Sequence, residues 1–198
     1  AFPSHAATAT LKKILDEAFT AARKPALKEA AYFELAKLDV VDRLFLVERH
    51  LISPQLAQRP HQRGAIVANQ ETLSAMGNAE DHLRLSCLQP GLALTNAYRA
   101  ATLLDDALGE NLDYAFRKDW GYLTACPTNL GTAMRASCLV HLPGLGLAGL
   151  TNRVLENLSR SGLIARGLYG EGTKVMGDFF QVANATGLGR TEAEMLHA

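Results

Sequence analysis

Strand-like segments that follow one another through short turns constrain the fold of this chain more than any other feature. Residues Gly64 to Gly77 have the pattern of a β-hairpin whose turn is Asn69-Gln70. A further strand is predicted from Asp81 to Leu88. Antiparallel strands can be joined by tight turns, whereas parallel strands need a long crossover connection. The order therefore predicts an α+β fold with a largely antiparallel sheet flanked by helices.

The other segments divide between helical and strand-like hydrophobic patterns. Ser53 to Arg63 carries two prolines and several polar residues, so a loop is predicted there. Helices are predicted over residues 6–24, Val41 to Glu48, Leu92 to Leu108, Leu147 to Ser161, and after a capping box of Thr191 and Glu194. Short strands are predicted at Tyr32 to Leu38, Gly121 to Ala125, Met134 to Leu142, Leu163 to Gly167 and Asp178 to Ala185.

Composition sets the class of protein. The chain has 198 residues, 48% of them apolar, and its 20 basic and 20 acidic residues balance. These values favour one folded domain over residues 1–198 and argue against a disordered chain or a nucleic-acid coating protein. The first residues lack the features of a signal peptide, and no apolar run approaches the length that crosses a bilayer. We therefore predict a cytoplasmic protein with neither nucleic-acid nor membrane partners.

The three cysteines, Cys87, Cys126 and Cys138, are an odd number and have no metal-binding spacing. This pattern is typical of reduced thiols, which agrees with a cytoplasmic location. Cys87 and Cys138 are interpreted as core thiols. The sequence leaves the residues that could bind a metal unknown.

The first candidate site segment is the run from Asn78 to Arg84. If this run is a strand, its side chains alternate between faces, so Glu80, His82 and Arg84 share one face. A carboxylate beside an arginine suits a site that handles both a cation and a phosphate. Taken alone, the segment fits a solvated strand face with an ion pair better.

The second candidate segment is Cys126-Pro-Thr-Asn-Leu-Gly-Thr132, and Arg135 follows it at the predicted start of a strand. Proline and glycine favour a tight loop, whose backbone N–H groups could face an anion. The alternative is an ordinary loop with a buried thiol. The residues of this segment leave both interpretations open.

The third candidate segment is Arg166-Gly-Leu-Tyr-Gly-Glu-Gly172. Its three glycines indicate unusual backbone angles or a mobile loop. Arg166 and Glu171 again pair a phosphate-binding side chain with a carboxylate. Alone, this segment fits a surface turn better.

A glycine pattern elsewhere imitates a dinucleotide-binding motif. Gly144 to Gly149 matches G-x-G-x-x-G between a predicted strand and a predicted helix. A dinucleotide-binding fold places this motif in an early strand–helix–strand unit, with an acidic residue ending the next strand. Here the motif comes late and Arg166 lies near that end, so we interpret it as a loop entering a helix.

Together, the three candidate segments resemble the catalytic domain of the guanidino (phosphagen) kinase family. The Cys126–Thr132 run with Arg135 behind it is very specific to the family, and the other two runs occur in the family's order. Within the family, the run from Glu48 to Pro54 and the run from Arg166 to Glu171 are most similar to bacterial protein-arginine kinases.

The resemblance implies a fold and a nucleotide site. The expected fold is the antiparallel sheet with flanking helices of the glutamine synthetase and guanidino kinase catalytic domains. The expected cofactors are ATP and Mg²⁺. The resemblance places Arg84, Arg135 and Arg166 on the phosphates of ATP and His50 near the nucleotide. The chain has no Walker-type phosphate loop, so arginines and Mg²⁺ would cradle the triphosphate instead.

The resemblance also implies an acceptor site, in which Glu80 and Glu171 bracket a guanidinium with Cys126 beside it. A guanidinium has a pKa above about 12 and is a poor nucleophile until a proton leaves. Paired carboxylates can orient its planar fork, and one of them can take the proton. Which glutamate is the base stays open, as do the Mg²⁺ ligands.

The chain departs from the family pattern in three respects. An arginine-rich strand that the family carries earlier is missing before Ala1, and a helical C-terminal region of protein-arginine kinases is missing after Ala198. Ala79 also replaces a common acidic residue. The expectation is a catalytic domain truncated at both ends.

Three functions are consistent with this sequence. The first is ATP-dependent phosphorylation of arginine residues in proteins. The second is a kinase of a small guanidino metabolite such as free arginine, and the third is an inactive binding or regulatory module of the same fold. The expected partners are proteins that bear arginine, with a homodimer as one option for the oligomeric state.

Overall fold

The computed structural model describes residues 30–68, 70–110, 112–169 and 175–197. The chain divides into two compact units, Ala1–Tyr114 and Ala115–Ala198. The helix predicted over residues 6–24 lies outside the described residues, and so do Asn69 and Glu171. A single catalytic domain over the whole chain stays a prediction.

The first unit contains a four-stranded antiparallel sheet whose spatial order follows the chain. Its second and third strands pair so that Ile66 lies opposite Ala75, which confirms the predicted hairpin. The fourth strand is shorter than predicted, because residues 81 and 82 belong to the turn before it. The strands are β1 (Ala31–Glu34), β2 (Gly64–Val67), β3 (Leu73–Gly77) and β4 (Leu83–Cys87).

A long helix, α3 (Leu94–Gly109), closes the core of the first unit. Leu104 and Leu108 are buried in one cluster with Ile66 and Ala75 of the sheet. Apolar burial of this kind is the main favourable term in folding, at roughly 25 cal/mol per Å². The helix agrees with the predicted one to within two residues, except that it includes Gly109.

Two helices lie between β1 and β2. In α1 (Val40–Glu48), the N-cap residue Asp39 accepts a hydrogen bond at Oδ1 from the backbone of Asp42, at 2.7 Å. In α2 (Pro54–Gln58), Ser53 caps the first turn in the same way. The prediction of a loop from Ser53 to Arg63 is therefore wrong in its first half. A capping serine followed by proline at the first helical position is a helix start, not a break.

The first predicted strand also ends early. The chain leaves β1 after Glu34 and forms a single 3-10 turn over Leu35–Lys37, where Leu35 is fully buried. Alternation of apolar and polar residues looks the same in the sequence whether the strand continues or the chain forms such a turn.

The second unit contains a two-stranded hairpin and a three-stranded antiparallel sheet. In the larger sheet the last strand along the chain lies in the centre, between the other two. The strands are β5 (Phe116–Arg117), β6 (Gly121–Tyr122), β7 (Ser137–His141), β8 (Leu163–Arg166) and β9 (Phe179–Asn184). The helices are α4 (Pro143–Leu147), α5 (Thr151–Arg160) and α6 (Glu192–His197).

The helix predicted from Leu147 to Ser161 begins later, at Thr151, and the separate short helix α4 ends at Leu147. The chain turns between α4 and α5 at Gly149, whose φ of 67° a right-handed helix does not admit. The glycine motif at residues 144–149 thus forms most of α4 and this turn, so its interpretation as a loop entering a helix is wrong for residues 144–147.

The capping box at the start of α6 is confirmed. The backbone N–H of Thr191 donates to Glu194 Oε2 at 2.8 Å, and the N–H of Glu194 donates to Thr191 Oγ1 at 3.3 Å. The hydrogen bond from the backbone of Thr191 favours the charged carboxylate and lowers the pKa of Glu194. Within the described ranges, no helix combines the length and the apolar character that crossing a membrane requires.

Shortening a buried side chain of the first unit should lower the free energy of unfolding far more than shortening an exposed one. Leu108→Ala removes a fully buried side chain from α3, so the free energy of unfolding should fall by about 3 kcal/mol. Leu103→Ala on the same helix removes a side chain that is 60% exposed and should change stability by less than about 1 kcal/mol. Chemical denaturation of both variants measures the difference, and equal losses would contradict the packing described.

Candidate active site

The loop that begins at Cys126 is held by its own polar side chains. Thr124 donates its hydroxyl to the carbonyl of Cys126 at 2.8 Å, and the thiol of Cys126 lies 3.0 Å from Thr128 Oγ1. A 3-10 turn over Pro127–Asn129 follows. Proline fixes the first position of this turn, so the sequence dictates its shape. Cys126 is half-buried at the start of an ordered turn.

Arg135 lies at the end of the same loop and not in the strand that the sequence predicted. Strand β7 begins at Ser137, and Arg135 precedes it in irregular backbone. Its guanidinium donates from Nη2 to Asn129 Oδ1 at 3.3 Å. Ala133, between Asn129 and Arg135, has a φ of 50°. Such an angle is uncommon for a residue with a Cβ and is found where surrounding contacts impose it.

The middle of the loop packs backbone against backbone. Gly131 has a φ of 94°, and a Cβ there would lie 2.7 Å from the carbonyl oxygen of Gly187. The N–H of Gly131 donates to the carbonyl of Trp120 at 3.0 Å, and its carbonyl accepts from the N–H of Tyr122 at 2.8 Å. Gly131 is therefore fixed between the β5–β6 hairpin and the segment after β9. Only glycine meets both the angle and the spacing.

Arg166 is the last residue of β8, and it lies opposite Gln181 of β9. Its side chain is half-buried, in a sheet whose central strand fixes its position. Glu171, its predicted partner across the glycine-rich segment, lies outside the described residues. The pairing of these two residues stays a prediction.

The sequence analysis placed Glu80, His82 and Arg84 on one face of a strand, and the structure corrects this. Only Arg84 lies in β4, opposite Met76, whereas Glu80 and His82 belong to the turn before the strand. The N–H of Asn78, which has a φ of 60°, closes this turn by donating to the carbonyl of His82 at 2.9 Å. Strand alternation therefore cannot place the three side chains on one face. Glu80 is exposed at the turn, and its catalytic role stays a prediction.

His50 follows α1 in an unusual backbone conformation. Its φ is 58°, and its N–H donates to the carbonyl of Val47 at 2.9 Å. Burial lowers the pKa of its imidazole, because a less polar surrounding disfavours the charged form. The neighbouring Arg49 forms an ion pair with Glu71, with Nε 2.6 Å from Oε2. The segment after α1 is thus anchored to the turn between β2 and β3.

Burial likewise raises the pKa of the Cys87 thiol and of the Cys138 thiol. Both thiols are nevertheless only half-buried and neither belongs to the buried core, so their interpretation as core thiols is wrong. In the part of the chain that the structure describes, no three His, Cys, Asp or Glu side chains are grouped so that they could hold a metal ion.

The predicted site residues divide between the two compact units. His50, Glu80 and Arg84 belong to the first unit, and Cys126, Arg135 and Arg166 to the second. Within the second unit, Cys126 and Arg135 lie on one loop, and Arg166 ends a strand of the adjoining sheet. The convergence of all these residues on one cleft stays a prediction.

Comparison with known protein families defines the class. Residues 10–198 match the family described as ATP:guanido phosphotransferase, C-terminal catalytic domain. The chain belongs to this family, which confirms the resemblance to guanidino kinases found in the sequence motifs.

Curated relatives give a closer likeness. The chain is 45% identical over 188 residues to the protein-arginine kinase of Desulforamulus reducens, an alignment that covers 93% of this chain and 53% of the relative. It is 49% identical over 163 residues to the protein-arginine kinase of Moorella thermoacetica, covering 82% and 47% of the two chains. The chain thus spans about half the length of the curated relatives it matches.

Solved structures agree on the fold. The taurocyamine kinase of Schistosoma mansoni, solved with bound transition-state analogue components, matches with a TM-score of 0.80 at 29% identity, over 96% of this chain and 28% of that one. A lombricine kinase matches with a TM-score of 0.75 at 26% identity, over 96% and 56% of the two chains. The predicted α+β fold of the guanidino kinase type is confirmed.

Replacing Gly131 should separate steric clash from backbone strain. Gly131→Ala places a Cβ against the carbonyl of Gly187, whereas Gly149→Ala imposes a similar positive φ with no atom within 4 Å. We expect Gly149→Ala to lower the free energy of unfolding by about 1 kcal/mol through strain alone. Gly131→Ala should cost at least about 2 kcal/mol more, because backbone atoms must move. Thermal and chemical unfolding test this, and similar losses in the two variants would refute it.

His50 should make the protein less stable in mild acid. Its pKa in the folded state is lower than in the unfolded chain, so the unfolded state binds the proton more readily. The resulting stability is present above about pH 6.5 and is lost as pH falls from there through the folded-state pKa. His50→Asn keeps a residue that tolerates positive φ and removes this titration. Its free energy of unfolding should depend less on pH between about 7 and 5 than that of the parent, and an identical slope would contradict the assignment.

Proposed function

We propose that this chain is the catalytic core of a protein-arginine kinase, which transfers the γ-phosphoryl group of ATP to the guanidinium of arginine residues in proteins. The observation that carries the proposal is the likeness to curated protein-arginine kinases at about 45% identity over more than nine tenths of the chain. Membership of the ATP:guanido phosphotransferase family supports the same donor and the same kind of acceptor.

The chemistry requires a nucleophile that is cationic at neutral pH to lose a proton. In the proposed reaction, a terminal guanidinium nitrogen forms a bond to the γ-phosphorus, and the bond from that phosphorus to the bridging oxygen of ADP breaks. The released proton passes to a carboxylate. Glu80 and Glu171 are the residues that we assign to orienting the guanidinium and accepting this proton, with Cys126 beside the acceptor.

The donor side requires charge neutralisation and fixed geometry. We assign Arg84, Arg135 and Arg166 to the phosphates and His50 to the neighbourhood of the nucleotide. The contact between Arg135 and Asn129 supports this assignment for Arg135, because it restrains a guanidinium that would otherwise sample many rotamers. Mg²⁺ enters the proposal as part of the MgATP substrate, since phosphate oxygens and water are its usual ligands at kinase sites.

A second candidate substrate class is a small guanidino compound. The structural likeness to a taurocyamine kinase and a lombricine kinase favours it. The sequence identity to these two is 29% and 26%, against 45% for a protein-arginine kinase. We therefore place proteins first as acceptors. The proposed location is the cytoplasm, and a homodimer remains one candidate assembly.

Replacing Arg135 tests whether its side chain contacts the phosphates of ATP or contributes only to the overall positive charge. The chain is incubated with MgATP and an unfolded, arginine-rich protein, and phosphoarginine is counted by mass spectrometry under conditions that preserve the P–N bond. We expect Arg135→Ala to lower the rate by about 100-fold, as for loss of one charge-stabilising group. Arg153→Ala removes an exposed arginine of α5 and should leave the rate unchanged. Equal rates in the two variants would contradict the role of Arg135.

The same assay distinguishes the substrate classes. Phosphoarginine on the protein supports the proposal. Product formed only on free arginine or another small guanidino compound would replace it with the second candidate. No product on any acceptor, with nucleotide binding retained, would favour an inactive binding module.

A further inference from the structure

We propose that Asn184 is a positioning residue that determines where the guanidinium of Arg135 lies. The inference rests on the proposed function, in which Arg135 contacts the phosphates of ATP. Asn184 is the last residue of β9, the central strand of its sheet, and its side chain is 4% exposed.

The Asn184 amide contacts the backbone on both sides of Arg135. Its Oδ1 accepts a hydrogen bond from the N–H of Ala136 at 2.8 Å, and its Nδ2 lies 3.4 Å from the carbonyl oxygen of Met134. The backbone N–H of Asn184 also donates to the carbonyl of Ala136 at 3.3 Å. The peptide groups before and after Arg135 are therefore both held by the buried side chain of Asn184.

These contacts of Asn184 stand in for regular strand pairing, which does not extend to Arg135. Strand β7 begins at Ser137, whose partner in β9 is Ala183, so regular pairing stops just after Arg135. Ala133, two residues before Arg135, has a positive φ, which disfavours extension of the strand toward the N-terminus. The Asn184 side chain supplies the donor and the acceptor that a paired strand would have supplied.

Asn184 is itself held from the other side. Its Nδ2 lies 3.2 Å from the carbonyl oxygen of Thr186 and 3.3 Å from the sulfur of Met195, which is 3% exposed on α6. These contacts leave the amide one orientation, with its oxygen toward the N–H of Ala136 and its nitrogen toward carbonyls. The backbone on either side of Arg135 is thus held by an amide of fixed orientation.

A double-mutant cycle tests the inference. Asn184→Asp keeps the acceptor but places a carboxylate oxygen against two carbonyls, so the backbone around Arg135 should shift. We expect MgATP to bind roughly tenfold more weakly in titration calorimetry, a change of the size found when two contacting residues are coupled. In the Arg135→Ala background, where Arg84 and Arg166 remain, the same change should weaken binding by less than about twofold.

Two further variants separate positioning from stability. Val182→Ala lies in the same strand, opposite Cys138 and Ala165, and should lower the melting temperature without weakening MgATP binding. Asn184→Ser, which keeps a small donor and acceptor, replaces Asn184→Asp in the cycle if the aspartate variant does not fold.

The outcomes are distinct. Loss of affinity in the parent background that disappears without Arg135 supports the inference. Equal losses in both backgrounds, or a folded Asn184 variant that binds MgATP as the parent does, overturn it and leave the proposed function intact. A parent chain that binds no MgATP and phosphorylates no acceptor overturns the proposed function and the inference with it.

Discussion

The second unit depends on the close approach of two backbone segments, the loop at Gly131 and the turn at Gly187. A Cβ on Gly131 would lie 2.7 Å from the carbonyl of Gly187, and a Cβ on Gly187 would lie 2.9 Å from Thr132 Oγ1. Because this spacing excludes side chains, the loop takes its shape from peptide geometry. Cys126 and Arg135 lie at the two ends of this loop.

The candidate residues are presented by different kinds of local structure, and this suits their proposed tasks. Arg84 and Arg166 lie on strands, whose ladders fix the backbone. Arg135 lies outside any ladder and is restrained by Asn129 and Asn184 instead. Phosphoryl transfer depends on placing charge accurately around the phosphates. Both arrangements restrain the arginine, one through repeated backbone bonds and the other through amide side chains.

The sequence predicted the features that arise from local chemistry. The hairpin at residues 64–77, the helix α3 and the capping box of Thr191 and Glu194 follow from turn residues, periodicity and caps. Other features depend on contacts between distant residues. The late start of β4 and the contacts of Asn184 could not be predicted, because neither pattern nor spacing shows which backbone groups lack a partner. The helix α2 was missed although its signal, serine followed by proline, was present.

The contacts of Met195 give the last helix a role in the cooperativity of the second unit. Its sulfur lies 3.3 Å from Asn184 Nδ2 and 3.9 Å from Thr132 Oγ1, so α6 contacts both the central strand and the loop that carries Arg135. Fraying of α6 would remove neighbours from both at once. In native-state hydrogen exchange, the helix and the loop would then open as one unit and not as separate segments.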